Sequence, residues 1–251
     1  MQSLGCHWGE GDYSVAVPAC GPLLRRKMSM FGERREFSLF SVGSLRVSAD
    51  SGAAILLLLM VLFQMDAGAL GAAVGLAVGL GVLLSVLAHE LGHAFAVSRL
   101  GFGGSSIVLG MFGGVCRWRG NPRPLQRVTV ALAGPTVSLA VGLALSALQP
   151  VVPHPIARMV VGHLAFMNLL WFAFNLLPML PMDGGVALNG LLSLRLPQLK
   201  AAKISLVVSM VVGVGALVAA VNWRYTIAAV MIGMMVWQNW QQYAELRRAR
   251  E

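Results

Sequence analysis

A succession of long apolar runs, most of them close to the length that crosses a bilayer, decides the fold class before any single residue is considered. The runs extend from Gly52 to Gly68, Ala72 to Val97, Val128 to Leu148, Met159 to Leu177, Ile204 to Val221 and Tyr225 to Trp237. A helix of about 20 apolar residues spans the hydrocarbon core. In lipid every backbone polar group must find its partner within the protein, which a helix achieves inside one segment. Hydrophobic residues make up 57% of the chain and charged residues 12%, a balance that excludes an ordinary soluble domain. The expected fold is an all-α polytopic membrane protein with about six transmembrane helices.

The basic residues orient this bundle. A net charge of +9 raises the question of a nucleic-acid partner, but with six helices 17 of the 19 Lys and Arg residues fall on one side and only Arg158 and Arg224 on the other. Such asymmetry is the signature of cytoplasmic loops. Both termini are therefore expected in the cytoplasm, with the bilayer rather than nucleic acid as the partner of the charge. The Ala, Gly and Arg richness suits a bacterial plasma membrane. Cys6, Cys20 and Cys116 all fall on the cytoplasmic side, where disulfides are rare, and no bridge or metal role is assigned to them.

Residues 1–50 mix glycine, proline and arginine without periodicity and read as a mostly irregular cytoplasmic tail, with a short strand at Ser44 to Ser48 leading into the first helix. No cleavable signal is expected, and Met28 or Met30 are alternative starts. Residues 51–240 form the membrane domain, and residues 241–251 a basic cytoplasmic tail at the anionic inner leaflet. Between the second and third helices, the stretch from Ile107 to Trp118 is apolar but punctuated by glycine. It reads as a short membrane-associated β-hairpin or re-entrant loop. Its open edge around Gly113 and Gly114 is either a surface for pairing with an extended substrate or a passive interfacial loop.

Within the second apolar run stands His89-Glu90-Leu91-Gly92-His93. Helical positions four apart share a face, so His89 and His93 can offer two imidazoles to one metal, with Glu90 beside them. A catalytic zinc acidifies water, and an adjacent carboxylate can take the proton as a carbonyl is attacked. Short patterns arise by chance. Ionisable groups inside a membrane, however, are costly to retain and mark functional sites by default.

A second cluster, Asn175 through Pro178, Pro181 and Asp183 to Gly184-Gly185, ends the fourth run. The prolines break the helix, which frees Asp183 either to turn back into the bundle as the third ligand of a single zinc or to serve as a turn or helix-cap aspartate. Asn175 is placed either to hydrogen bond a developing oxyanion or to join helices. Asn168 and His163 read as packing or cavity residues. Asp183 is the only acid between Glu90 and Glu245, which disfavours a zinc site completed by a later glutamate.

Together the two clusters resemble the site-2 protease family of zinc-dependent intramembrane metalloproteases, over about residues 45 to 185. The Gly113-Gly114 loop and the run from Asn121 to Pro124 leading to Ala133-Gly134-Pro135 are similar to that family's middle segment. The resemblance implies His89, His93 and Asp183 as zinc ligands and Glu90 as general base. It also implies hydrolysis of peptide bonds within or beside transmembrane segments of membrane-anchored proteins, such as anti-sigma factors or tethered transcription factors. The form expected is compact, without a PDZ insertion or a nucleotide-sensing domain. The alternative is a non-catalytic zinc-binding membrane scaffold or transport component, although a pure binder has no need of a glutamate between the histidines.

Overall fold

The structure, a computed structural model, describes residues 12–14, 36–65, 68–111 and 113–248. In chain order the strands and helices are β1 (Asp12–Ser14), β2 (Glu36–Val42), β3 (Leu45–Asp50), α1 (Ser51–Leu62), α2 (Gly68–Arg99), β4 (Gly103–Gly110), β5 (Gly113–Arg119), α3 (Pro124–Leu148), α4 (Pro155–Asn175), α5 (Asp183–Leu192), α6 (Gln198–Asn222) and α7 (Thr226–Arg248). Cys6 and Cys20 lie outside the described residues.

Among the described residues, four helices, α2, α3, α4 and α6, are long and apolar enough to cross a membrane. The expectation of about six is met only to that extent. α1 has 12 residues, which at 1.5 Å each gives about 18 Å of helix, well short of the ~30 Å core. α7 is long, but past Val236 it turns polar through Gln238, Asn239, Gln241 and Gln242. The bundle shows the pattern expected in lipid. Leu84, Phe95, Leu143, Phe166 and Val211 point outward, while His89, Glu90, His93, Ser138, Asp183 and Asn239 are buried. Apolar side chains gain nothing by leaving lipid, so the interior is free to collect the polar groups.

The strands form one sheet in the order β1-β5-β4-β3-β2. β4 and β5 are an antiparallel hairpin between α2 and α3, where the sequence placed a hairpin or re-entrant loop. β3 overlaps the strand expected at Ser44 to Ser48 from Leu45 onward, pairs antiparallel with β2 and parallel with β4, and runs directly into α1. Asp50 caps that helix by accepting from the Gly52 N–H at 2.6 Å. Alternation along β5 sends Cys116 and Trp118 inward and Val115, Arg117 and Arg119 outward. The inner face of the sheet, through Val47, Ile107, Leu109, Cys116 and Trp118, packs on Val86, Ala94 and Val97 of α2. The hairpin is thereby fixed against the helix that carries the two histidines. A second core joins Val128 and Ala131 of α3, Val186 and Ala187 of α5, Leu206 of α6 and Leu180 of the α4–α5 connection.

Candidate metal centre

His89, Glu90 and His93 are buried on α2, the two histidines facing α3. Four-residue spacing aligns Val130, Gly134 and Ser138 on one stripe of α3, and each serves the histidine pair. His89 Nδ1 lies 2.9 Å from Ser138 Oγ, and His93 Nδ1 donates to the Val130 carbonyl at 2.7 Å. Because a carbonyl only accepts, His93 carries its proton on Nδ1 and presents the Nε2 lone pair inward. At Gly134 a Cβ would fall against His93 Nε2 and 2.7 Å from His89 Nε2, so the helices can hold two imidazoles here only because no side chain intervenes.

The third group comes from the break after α4. That helix ends at Asn175, and Pro178 and Pro181 carry the chain through a tight connection to Asp183, the first residue of α5. Gly184 and Gly185 let this connection fold back over the start of α5, where a Cβ would strike the backbone of Leu176, Met179 and Leu180. Asp183 is consequently buried, its Oδ2 3.1 Å from His89 Nε2 and its Oδ1 3.4 Å from His93 Nε2. The imidazole Nε2 atoms are 3.2 Å apart, and the three donor atoms lie within 4.8 Å of one another.

This donor set fits zinc. Bonds of 2.0 to 2.1 Å in tetrahedral array separate ligand atoms by about 3.4 Å, close to the spacings found. Two neutral nitrogens and one carboxylate are a catalytic zinc set with a position left open, and the Val130 and Ser138 contacts are the outer-shell bonds that orient such ligands.

Glu90 lies outside the ligand set and beside it. Its side chain packs on Gly114 of β5, where an added Cβ would come within 3.0 Å of Glu90 Oε1, and the backbone N–H of Cys116 is directed at its carboxylate. Burial, followed by the charge of nearby Glu90, pushes the Cys116 thiol up to about 12, so this cysteine is a packing residue. Gly113 lies against the Trp171 ring, with Cζ2 3.3 Å from where its Cβ would be.

Other residues singled out from the sequence fall differently. Asn175 donates to the Trp171 carbonyl one turn back in α4 at 2.9 Å, a bond within its own helix. Asn168 is a buried packing residue, donating to Ser85 Oγ of α2 at 2.9 Å. His163 is exposed and bonded to the Met159 carbonyl of its own helix, so the cavity reading fails for it. The face opposite its buried neighbours turns outward, a consequence of helical phase that apolar content does not reveal. Sequence reasoning missed Val130 and Ser138. Ser138 lies four residues after Gly134, which marks the stripe, but nothing in the sequence says which α3 face meets α2.

Fold and site together define a multi-pass membrane protein with a buried group of two histidines and one aspartate that could hold a metal ion. Residues 77–154 match the family model described as Peptidase family M50. The chain is 36% identical over 101 residues to an inferred zinc metalloprotease of Synechocystis sp., covering 39% of this chain and 27% of the relative. It is 33% identical over 114 residues to a zinc metalloprotease of Methanocaldococcus jannaschii, covering 45% of this chain and 33% of the relative. The fold is similar to that of the site-2 protease from M. jannaschii, with a TM-score of 0.62 at 22% identity over 83% of this chain and 95% of that one. Over residues 77–154 the chain is thus similar to Peptidase family M50, and its fold is similar to that of a site-2 protease, in line with the resemblance in its motifs. The matched segments span about a quarter to a third of the curated relatives' length.

Proposed function

We propose that the protein is an intramembrane endopeptidase that hydrolyses peptide bonds in or beside the transmembrane segments of membrane-anchored proteins, with His89, His93 and Asp183 holding one zinc. The observation that carries this reading is the position of Glu90, a buried carboxylate adjacent to the three donors but not one of them. A site that only stored metal would have no use for it. When bound, zinc supplies Lewis acidity that acidifies water and polarises a carbonyl.

The chain's own groups account for the rest. Glu90 takes the proton of the attacking water and returns it to the leaving amine, a general base and then a general acid. Gly113 and Gly114 sit on the edge of β5 nearest Glu90. Among the described residues β1 pairs with this edge only at Arg117 to Arg119. The edge from Gly113 to Cys116 is suited to receive an unwound substrate segment by main-chain hydrogen bonds, which favours substrates with helix-breaking residues near the cut. Asn175 retains an amide oxygen and a second amide hydrogen beyond its bond to Trp171, and is assigned substrate contact rather than a role at the metal. Anti-sigma factors and membrane-tethered transcription factors are the proposed substrate class. The charge asymmetry supports both termini in the cytoplasm of a bacterial cell.

The test is cleavage of a tagged single-pass substrate by the purified protein in liposomes, comparing wild type with Glu90→Gln at verified zinc occupancy. Cleavage by wild type alone, lost on chelation, supports the reading. Zinc bound by both with no cleavage across a diverse substrate panel favours the scaffold, and cleavage by Glu90→Gln removes Glu90 from the mechanism.

A further inference from the structure

The connection that delivers Asp183 to the metal centre is held from outside by two buried side chains on helices that contribute no ligand. Leu180 lies three residues before Asp183 and is buried, with Pro181 following it. Its N–H donates to Ser209 Oγ of α6 at 2.9 Å, and its carbonyl accepts from Asn239 Nδ2 of α7 at 2.7 Å. Both polar groups of one peptide-linked residue are thus taken up by side chains of two different helices. Ser209 is fixed in turn, since its hydroxyl donates to the Ser205 carbonyl at 2.6 Å and so points its lone pairs at Leu180. Asn239 is 2% exposed and Ser209 0%. Neighbouring Met179 is fully buried, and on α6 a Cβ at Gly213 would lie 3.0 Å from its sulfur, so α6 seats this connection closely.

From this geometry we infer that Ser209 and Asn239 are positioning residues for the third metal ligand, setting the affinity of the centre through the Leu180 backbone. Two proline-interrupted turns have few hydrogen bonds of their own, since proline supplies no N–H. A carboxylate at the end of such a segment is only as well placed as its anchor, and loss of outer-shell partners of metal ligands lowers affinity about 10- to 100-fold. The clamp also makes the ligand's position depend on how α7 sits against α6. A polar asparagine in the otherwise weakly amphipathic α7 thereby has a reason to be buried.

The inference rests on the metal centre of the proposed function, and cobalt(II) binding tests it without any substrate. The full chain in detergent is titrated with cobalt(II) in competition with a chelator, reading affinity and the d–d absorption of a low-coordinate site. Asn239→Leu, which preserves volume, and Ser209→Ala are each expected to weaken binding about tenfold and to alter the d–d band. In an Asp183→Ala background the same substitutions should cost nothing further, because their effect passes through Asp183. Wild-type affinity and spectrum in both variants would overturn the inference, as would losses that simply add to that of Asp183→Ala. Ser209→Ala removes one hydroxyl and keeps the test decisive if Asn239→Leu does not fold. A wild type that binds cobalt through Asp183 but cuts no substrate would refute the protease reading alone. A wild type that binds no cobalt would overturn both.

Discussion

Glycine 134 shows how a residue with no side chain can decide whether the site exists. A methyl there would occupy the space between the two imidazole Nε2 atoms. Gly134→Ala is therefore expected to drop zinc content well below one per chain, with helical content unchanged, as metal analysis and circular dichroism would show. Gly114 acts on the base instead. Gly114→Ala should displace the Glu90 carboxylate and reduce cleavage by about 10²-fold or more, at full zinc occupancy, since a positioned general base contributes about that much. At Cys116 the thiol is buried and its ionisation is pushed up to about 12. At pH 8 it should resist maleimide labelling in the folded protein and react only after denaturation.

Among the elements, α5 has the least intrinsic support and the most tertiary support. Ten residues long, it is marginal as an isolated helix, yet it must present Asp183 in register with α2. Arg127 of α3 binds it by donating to Asn189 Oδ1 at 2.9 Å, and Asn189 reaches Ser205 of α6 at 3.3 Å. Replacing Asn189 with Leu leaves Arg127 without this acceptor and should destabilise the protein by about 2 kcal/mol, measurable as an earlier midpoint in denaturation from detergent. α5 was not legible in the sequence, because Asp183 to Leu192 carries no cap signal and follows two prolines. The hairpin of β4 and β5 was legible, since glycine punctuation within an apolar stretch argues against a helix. What its apolar pattern did not show was a parallel partner, β3, which pairs Arg46 with Ser106 and Val47 with Ile107 from far upstream.

For the whole molecule, the distribution of basic residues leads to a topology prediction. Reporter fusions at the C-terminus should report a cytoplasmic location, and a fusion in the loop before α4, near Arg158, the opposite side. Membrane character, the two histidines, the glutamate and the aspartate followed from sequence alone. Lipid solvation constrains composition residue by residue, and metal chemistry demands particular side chains at helical spacing. Only the tertiary structure decided which face of α3 backs the histidines and how α6 and α7 hold the chain before Asp183. These depend on helix rotation and on contacts between residues far apart in the chain. Many rotations satisfy an apolar sequence equally in lipid, and only packing selects among them.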